Sequence, residues 1–433
     1  MGRSYRGSNN KQALKYANKK NTSVEIIKIV IVTILIFTIG GVAIIFLGDI
    51  ASRFEDSMTR QAEYEAEETE RVLTPHVAPT RPGASATDPT EYLQPELTGI
   101  SYVSAGGQLE LPIYGATGWA ATSLTMRTAS GGGGSAVANI SPGQGFRILA
   151  REGNFWYVYV VDRYTGWIDH RGAFINLPDV LPSIIYQNTN ASASVKVSLG
   201  LDIPGVTGQQ LYNAGGFNPR LDRYEYIVPG LYSLARALFV AQQEAERTGD
   251  SIIMNEAFRP TTAQTATRNG LTRLIQDNNQ VHQAINAGPW NMGWFISTGV
   301  SNHQRGSAVD VSLASVNNYI YHQTGDFIFR RNHNFREYFM QTDIHELSPL
   351  AAIVQNPRNI SAAELLAGTV TLAENVTQGT RQLQQLLATA GFTPLASEWW
   401  HFDHPPSTSI AQSAGINGNF VTETIYSVPP IIN

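Results

Sequence analysis

Two histidines and two carboxylates fall in two short segments of this chain, SNHQRGSAVD at 301–310 and EWWH at 398–401. A catalytic zinc takes three protein ligands and keeps its fourth position for water. His303, Asp310 and His401 fill that count, and Glu398 stays free to act as a base. The chemistry such a set supports is metal-assisted hydrolysis without a covalent intermediate. Rival chemistries find no footing: the chain has no cysteine, which excludes thiolate sites and disulfides, and no Gly-x-Ser-x-Gly elbow carries a serine nucleophile. His345-Glu346 opens like the helical motif His-Glu-x-x-His, but Pro349 stands where the second histidine belongs. His322, His333 and His345 are therefore expected as polar surface residues, and His404, beside Pro405, as an exposed or supporting one.

The pattern Ser-x-His-x-x-Gly-x-Ala-x-Asp followed by Glu-x-x-His resembles the bacterial zinc D-Ala-D-Ala carboxypeptidases and dipeptidases, the vancomycin-resistance type of peptidase. The likeness extends over roughly 195–406 and is strongest at SNHQRGSAVDVSL and EWWHF. Upstream, Asn255-Glu-Ala-Phe-Arg-Pro followed by Gln264 resembles the family segment whose arginine contacts the substrate and the developing oxyanion. The resemblance gives Arg259 that role, which suits a forked and permanently charged guanidinium, and makes Ser301 part of the substrate subsite. It implies zinc as cofactor and peptidoglycan stem peptides as substrate, trimmed by D-Ala-D-Ala carboxypeptidase-like action. Dipeptidase, L,D-carboxypeptidase and endopeptidase action are the alternatives. A non-catalytic wall-binding protein with a relic zinc site is the reading from a different class.

These residues need elements to hold them. In Ala308-Val-Asp-Val-Ser-Leu, strand alternation sends Ala308, Asp310 and Ser312 to one face and Val309, Val311 and Leu313 into the core. Gly306 permits the bend that brings His303 back toward Asp310. Residues 398–404 read as a second strand, in which strict alternation would put Glu398 opposite His401. The two share a site only if Glu398 stands at the strand entrance or a bulge re-aims it. Leu231, Leu234, Ala235, Leu238, Phe239 and Ala245 recur at helical spacing, with Gly249 as a C-terminal cap. Residues 251–258 form a strand, and Leu383, Leu386 and Leu387 mark a helix ending near Gly391. The expected fold of 195–433 is α+β, a zinc peptidase domain with a small, mainly antiparallel sheet and flanking helices.

Ahead of it, 99–181 reads as a small all-β barrel of short strands separated by turns. MRTASG at 126–131, NFWYVYV at 154–160 and YTGWIDHRGAFI at 164–175 resemble the bacterial Src-homology-3-like repeats found beside cell-wall hydrolases. Tyr157 and Tyr159 belong either to a ligand groove or to one core-facing strand. Glycines 131–134 lack the Lys-Ser/Thr of a phosphate loop.

The uncharged, almost wholly apolar run 29–47 predicts an N-terminal transmembrane helix. Arg3, Arg6, Lys11, Lys15, Lys19, Lys20 and Lys28 before it predict a cytoplasmic basic tail over 1–28 and export of the chain beyond the helix. An acidic and Pro-rich stalk is expected over 48–98, with Glu63, Glu65, Glu67, Glu68 and Glu70 followed by Pro75, Pro79, Pro82, Pro89 and Pro95. The expected location is thus the cell membrane, single-pass, with the catalytic domain extracellular. At 433 residues and 42% hydrophobic content the chain can bury a sizeable core, and a net charge of -5 argues against a nucleic-acid partner.

Overall fold

The computed structural model of the chain describes residues 109–431. Its first sheet is built from β1 (Thr117–Ala120), β2 (Leu124–Arg127), β3 (Ala136–Ile140), β4 (Gly145–Glu152), β5 (Phe155–Val160), β6 (Tyr164–Asp169) and β7 (Ala173–Asn176). Every pairing in it is antiparallel. Alternation sets its faces: in β5, Trp156, Val158 and Val160 are buried, whereas Phe155, Tyr157 and Tyr159 stand half-buried on the other side. The two tyrosines therefore do not face the core.

After β7 come β8 (Ile185–Tyr186), the two small hairpins β9 (Val197–Ser198) with β10 (Leu201–Asp202) and β11 (Gly215–Asn218) with β12 (Arg223–Tyr226), and then β13 (Pro229–Leu231). β13 pairs antiparallel with β7, Gly230 opposite Ile175. The first sheet thus has eight strands in the open order β13-β7-β1-β4-β5-β6-β2-β3. This corrects the expectation of a small barrel complete in itself by residue 181. The free edge of β7 would leave backbone donors and acceptors unpaired, and the following region supplies the strand that covers it.

The second sheet contains β14 (Asp250–Glu256), β15 (Ala308–Thr324), β16 (Phe327–Glu337), β17 (Thr393–Leu395) and β18 (Glu398–Asp403). Its order is β17-β18-β15-β14-β8, with β16 also on β15. Because β8 runs parallel to β14 while the other pairs are antiparallel, the sheet is mixed, which corrects the expected small and mainly antiparallel one. β15 changes character along its length. Residues 308–314 are all buried, and beyond them the polar stretch 315–323 runs out in a hairpin with β16. The expected sidedness holds, since Val309, Val311 and Leu313 join the main core.

Four helices matter for the site: α1 (Tyr232–Arg247), α2 (Thr261–Asp277), α3 (Gln378–Thr389) and α4 (Pro405–Ser413). α1 buries Leu234, Ala235, Leu238, Phe239 and Ala245 as its spacing requires, and Gly249 follows it with φ +80. α3 buries Leu383 and Leu387 and ends ahead of Gly391. A continuous core runs from Trp119 and Trp156 in the first sheet through Leu234 and Leu238 to Val309, Trp399 and Trp400 in the second. Each such large side chain contributes about 1.5–3 kcal/mol on burial.

Among the described residues no helix is long and apolar enough to cross a membrane. The expectation of a single-pass membrane protein with its catalytic part outside is corrected accordingly. The segments on which it rested, 1–28, 29–47 and 48–98, lie outside the described residues.

Candidate metal centre

Three neighbouring strands deliver one row of side chains. Asp310 on β15 is paired with His401 on β18 and with Glu256 on β14, so all three project to the same face. The register slips between Met254 and Glu256. That bulge at Asn255 turns Glu256 toward Asp310, where regular pairing would have aligned Asn255. A second slip between Pro394 and Leu395 puts Leu395 across from Glu398, the first residue of β18. Strand entrance and bulge thus coincide at Glu398, whose Oε2 comes within 3.9 Å of His401 Nδ1.

His303 arrives on the tight turn before β15. Its carbonyl accepts hydrogen bonds from the Gly306 and Arg259 amides, and its own amide donates to Ser301 Oγ at 3.3 Å. Gly306 has φ +62, a conformation costly for residues with a Cβ, and it packs against the ring of Phe174 in β7. The amide of Leu231 in β13 donates to the Gly306 carbonyl. The first sheet therefore helps to shape the metal loop.

His303 Nε2, Asp310 Oδ1 and His401 Nδ1 form a nearly equilateral triangle with sides of 3.0, 3.0 and 3.1 Å. The far ring nitrogens both meet oxygen acceptors. His303 Nδ1 donates to the Ala257 carbonyl at 2.7 Å, and His401 Nε2 donates to Asp403 Oδ1 at 3.1 Å. The two inward nitrogens face one carboxylate oxygen and each other, and either a proton or a metal cation among the three atoms satisfies them. Ligands of a tetrahedral cation with bonds of ~2.0–2.2 Å lie roughly 3.3–3.6 Å apart, so a slight expansion of this triangle accommodates a metal ion. Histidines donating outward to a carbonyl and a carboxylate are also the usual support of metal ligands. These buried groups can hold a metal ion.

The electrostatics favour a cation at this point. Burial pulls His303 below the usual histidine range. Burial opposes charge on His401 as well, yet Asp403 and Asp310 hold its imidazole up to about 10. The same carboxylates would attract a metal at Nδ1. Burial would raise Asp310, but His303 and the hydrogen bonds from His303, His345 and His401 keep it well below the carboxylate range. Glu398 lies outside the triangle, and burial pushes its carboxyl up to about 7, poised to exchange a proton near neutrality.

Behind the triangle Arg259 is fully engaged. Its Nη2 bonds both Glu256 Oε2 and Asp310 Oδ2, the latter at 3.1 Å, while Nη1 donates to Gln264 at 2.9 Å. Glu256 is held further by Asn190 at 2.5 Å and Tyr212 at 2.8 Å. Burial works against its charge, but Arg259 and Lys196 lower its pKa to about 2. Glu256, Asp310 and His345 could also gather a metal by distance alone. The guanidinium already spans the two carboxylates, so that group has its cation.

A cleft of about 190 Å³ opens onto the centre, with His303, His401, Glu398 and Asp403 at its base, Arg259 and Ser301 in its lining, and Phe295, Ile296 and Leu395 as apolar wall. The structure thus brings together all six expected residues. It also adds four that sequence reasoning passed over. Asp403 had a readable signal, since it lies two positions beyond His401 on the same strand. Lys196 and Glu256 had none, because a buried lysine has no local signature and Glu256 depends on a bulge. His345 corrects an expectation: it is fully buried, with Nε2 3.2 Å from Asp310 Oδ2. His333 is exposed, His322 is half-buried, and His404 is buried with Nδ1 2.6 Å from Ser407 Oγ, turned away from the triangle.

No protein-family model matches the chain, and no curated protein matches it significantly.

Proposed function

We propose that this chain is a zinc peptidase that trims peptidoglycan stem peptides, acting as a D-Ala-D-Ala carboxypeptidase. The observation that carries the reading is the pairing of a three-ligand triangle with one carboxylate, Glu398, that is buried beside it and not part of it. A structural zinc uses four closed protein ligands, whereas a catalytic one keeps a position open. Two nitrogens and one carboxylate oxygen, without thiolates, suit zinc. Zinc at such a site supplies a Lewis acid and lowers the pKa of water from about 15.7 toward ~7.

The chain's own residues do the rest. Glu398 takes a proton at its carboxylate during attack and returns it to the leaving amine. Arg259 and His345 hold Asp310, Asp403 orients His401, and the Ala257 carbonyl orients His303. The apolar wall of Phe295, Ile296 and Leu395 narrows the water around the reacting bond. The resemblance of SNHQRGSAVD and EWWH to the D-Ala-D-Ala peptidases supports the choice of substrate class.

The test is elemental analysis of the purified protein together with digestion of defined stem-peptide fragments, read by mass. Release of D-Ala supports the carboxypeptidase. A released dipeptide, cleavage before a terminal D-residue after an L-residue, or a cut cross-link would move the assignment to dipeptidase, L,D-carboxypeptidase or endopeptidase respectively. One zinc per chain with every fragment intact would overturn the peptidase reading.

A further inference from the structure

We infer that His345 is a positioning residue of the metal centre, which locks the Asp310 carboxylate so that only one of its oxygens faces the ligand triangle. The inference rests on the metal-centre reading and not on the identity of the substrate.

Asp310 divides its two oxygens between two roles. Oδ1 belongs to the triangle, while Oδ2 receives Arg259 Nη2 at 3.1 Å and His345 Nε2 at 3.2 Å. A carboxylate held by one donor can still rotate about its Cβ–Cγ bond. Two donors approaching the same oxygen from different segments fix the plane. The imidazole is oriented to be one of them, since Nε2 must carry the hydrogen to donate to a carboxylate, and Nδ1 is then the acceptor, facing Thr189 Oγ1 at 3.4 Å. The ring stands edge-on to Trp400, centroids 5.9 Å apart.

The backbone is arranged at a cost to make this contact. His345 has φ +63, in the left-handed region that few residues with a side chain adopt, and such strain gathers at functional positions. A clamp holds it there. The Val197 amide donates to the His345 carbonyl, the Leu347 amide donates back to Val197, and the Glu346 carboxylate accepts from the Leu199 and Gly200 amides at 2.6 and 2.9 Å. The β9–β10 hairpin and the segment around 345 thus grip each other behind the site.

Three variants test the role. His345→Asn tolerates the left-handed backbone but is too short to reach Asp310, and His345→Gln carries an amide N–H to about the position of Nε2. Zinc affinity by chelator competition is the readout, with the melting temperature of each chelator-treated protein as control. His345→Asn should bind zinc roughly 10- to 100-fold more weakly, the usual effect of removing a partner of a ligand, and His345→Gln should recover most of that loss at a similar melting temperature. Wild-type affinity in a folded His345→Asn, or equal weakness in both variants, would overturn the inference. Should His345→Asn fail to fold, Thr189→Val removes only the hydroxyl on Nδ1. It should weaken zinc by less than the roughly 10- to 100-fold that follows loss of a ligand's direct partner, and no change would count against the role. Because zinc affinity is read without a substrate, a chain that cleaves no stem peptide yet follows this pattern refutes the proposed function alone.

Discussion

Gly306 lies so close to Phe174 that a Cβ at the glycine would sit 2.4 Å from the ring's Cε1 atom. One residue belongs to the metal loop and the other to the first sheet. Gly306→Ala should therefore suffer twice, from the left-handed backbone, about 1–2 kcal/mol, and from the clash, about 1–3 kcal/mol. A melting temperature lowered by several degrees and weaker zinc binding are expected. Thermal unfolding with and without zinc measures both, and an unchanged variant would show that this contact does not set the loop.

Glu398 should separate chemistry from metal binding. Glu398→Ala is expected to keep zinc near one per chain while losing at least ~10²- to 10⁴-fold in cleavage rate. His401→Ala should lose both, because it removes one corner of the triangle. Elemental analysis beside cleavage assays decides. Near-normal hydrolysis by the Glu398 variant would sink its assignment as base, and loss of zinc would make it a ligand.

A chain beginning at Ser183 should not form the site. It lacks β7, which pairs with β13, and Phe174, against which Gly306 rests. It also strips Glu110 from the buried amide and hydroxyl of Ser183. Circular dichroism and zinc stoichiometry of the truncated chain are the measurements. A folded, zinc-binding fragment would contradict this coupling of the two sheets.

Stability should fall as the medium turns alkaline, and Glu110 is the reason. Burial, reinforced by the nearby Glu246 charge, raises its carboxyl from the ordinary 4.5 to about 8. A raised folded-state value means that the native state holds the proton more tightly than the unfolded chain. The stabilisation is complete below about 4.5 and is lost as pH rises through about 8. Each tenfold gain in proton affinity on folding corresponds to about 1.4 kcal/mol. Melting temperatures across that window should decline in the native chain and flatten in Glu110→Gln, which keeps an acceptor for Ser183. A parallel decline in both would assign the effect elsewhere.

Local patterns were readable and remote ones were not. Two-residue alternation placed Asp310 on one face and Val309, Val311 and Leu313 on the other, and helical spacing located α1 and α3, because neighbours in the chain decide these features. The candidate ligands His303, Asp310 and His401 came from two short motifs, and the fold brings them close enough to hold a metal ion. Glu256 and Glu398 reach the site through register slips, which arise from pairing and leave no trace in either strand alone. β13 is three residues, Pro-Gly-Leu, too short for any period, and its partner lies more than fifty residues earlier. His345 looked like a failed zinc motif because its role comes from a hairpin near residue 197 and a strand near 310.

The strand row Glu256, Asp310 and His401 also dictates an order of events during folding. His303 and His401 lie 98 positions apart and Asp310 and His401 lie 91 apart. Closing loops of that length is slow and must be repaid by many contacts made together. A metal ion held by His303, Asp310 and His401 would not nucleate folding as zinc does in a small zinc finger, because its ligands come from segments far apart in the chain. On a ribosome the centre must wait until β18 has emerged and paired with β15. A metal bound there would be the last piece fitted, and its binding energy would fall mainly on the rate at which the finished molecule comes apart.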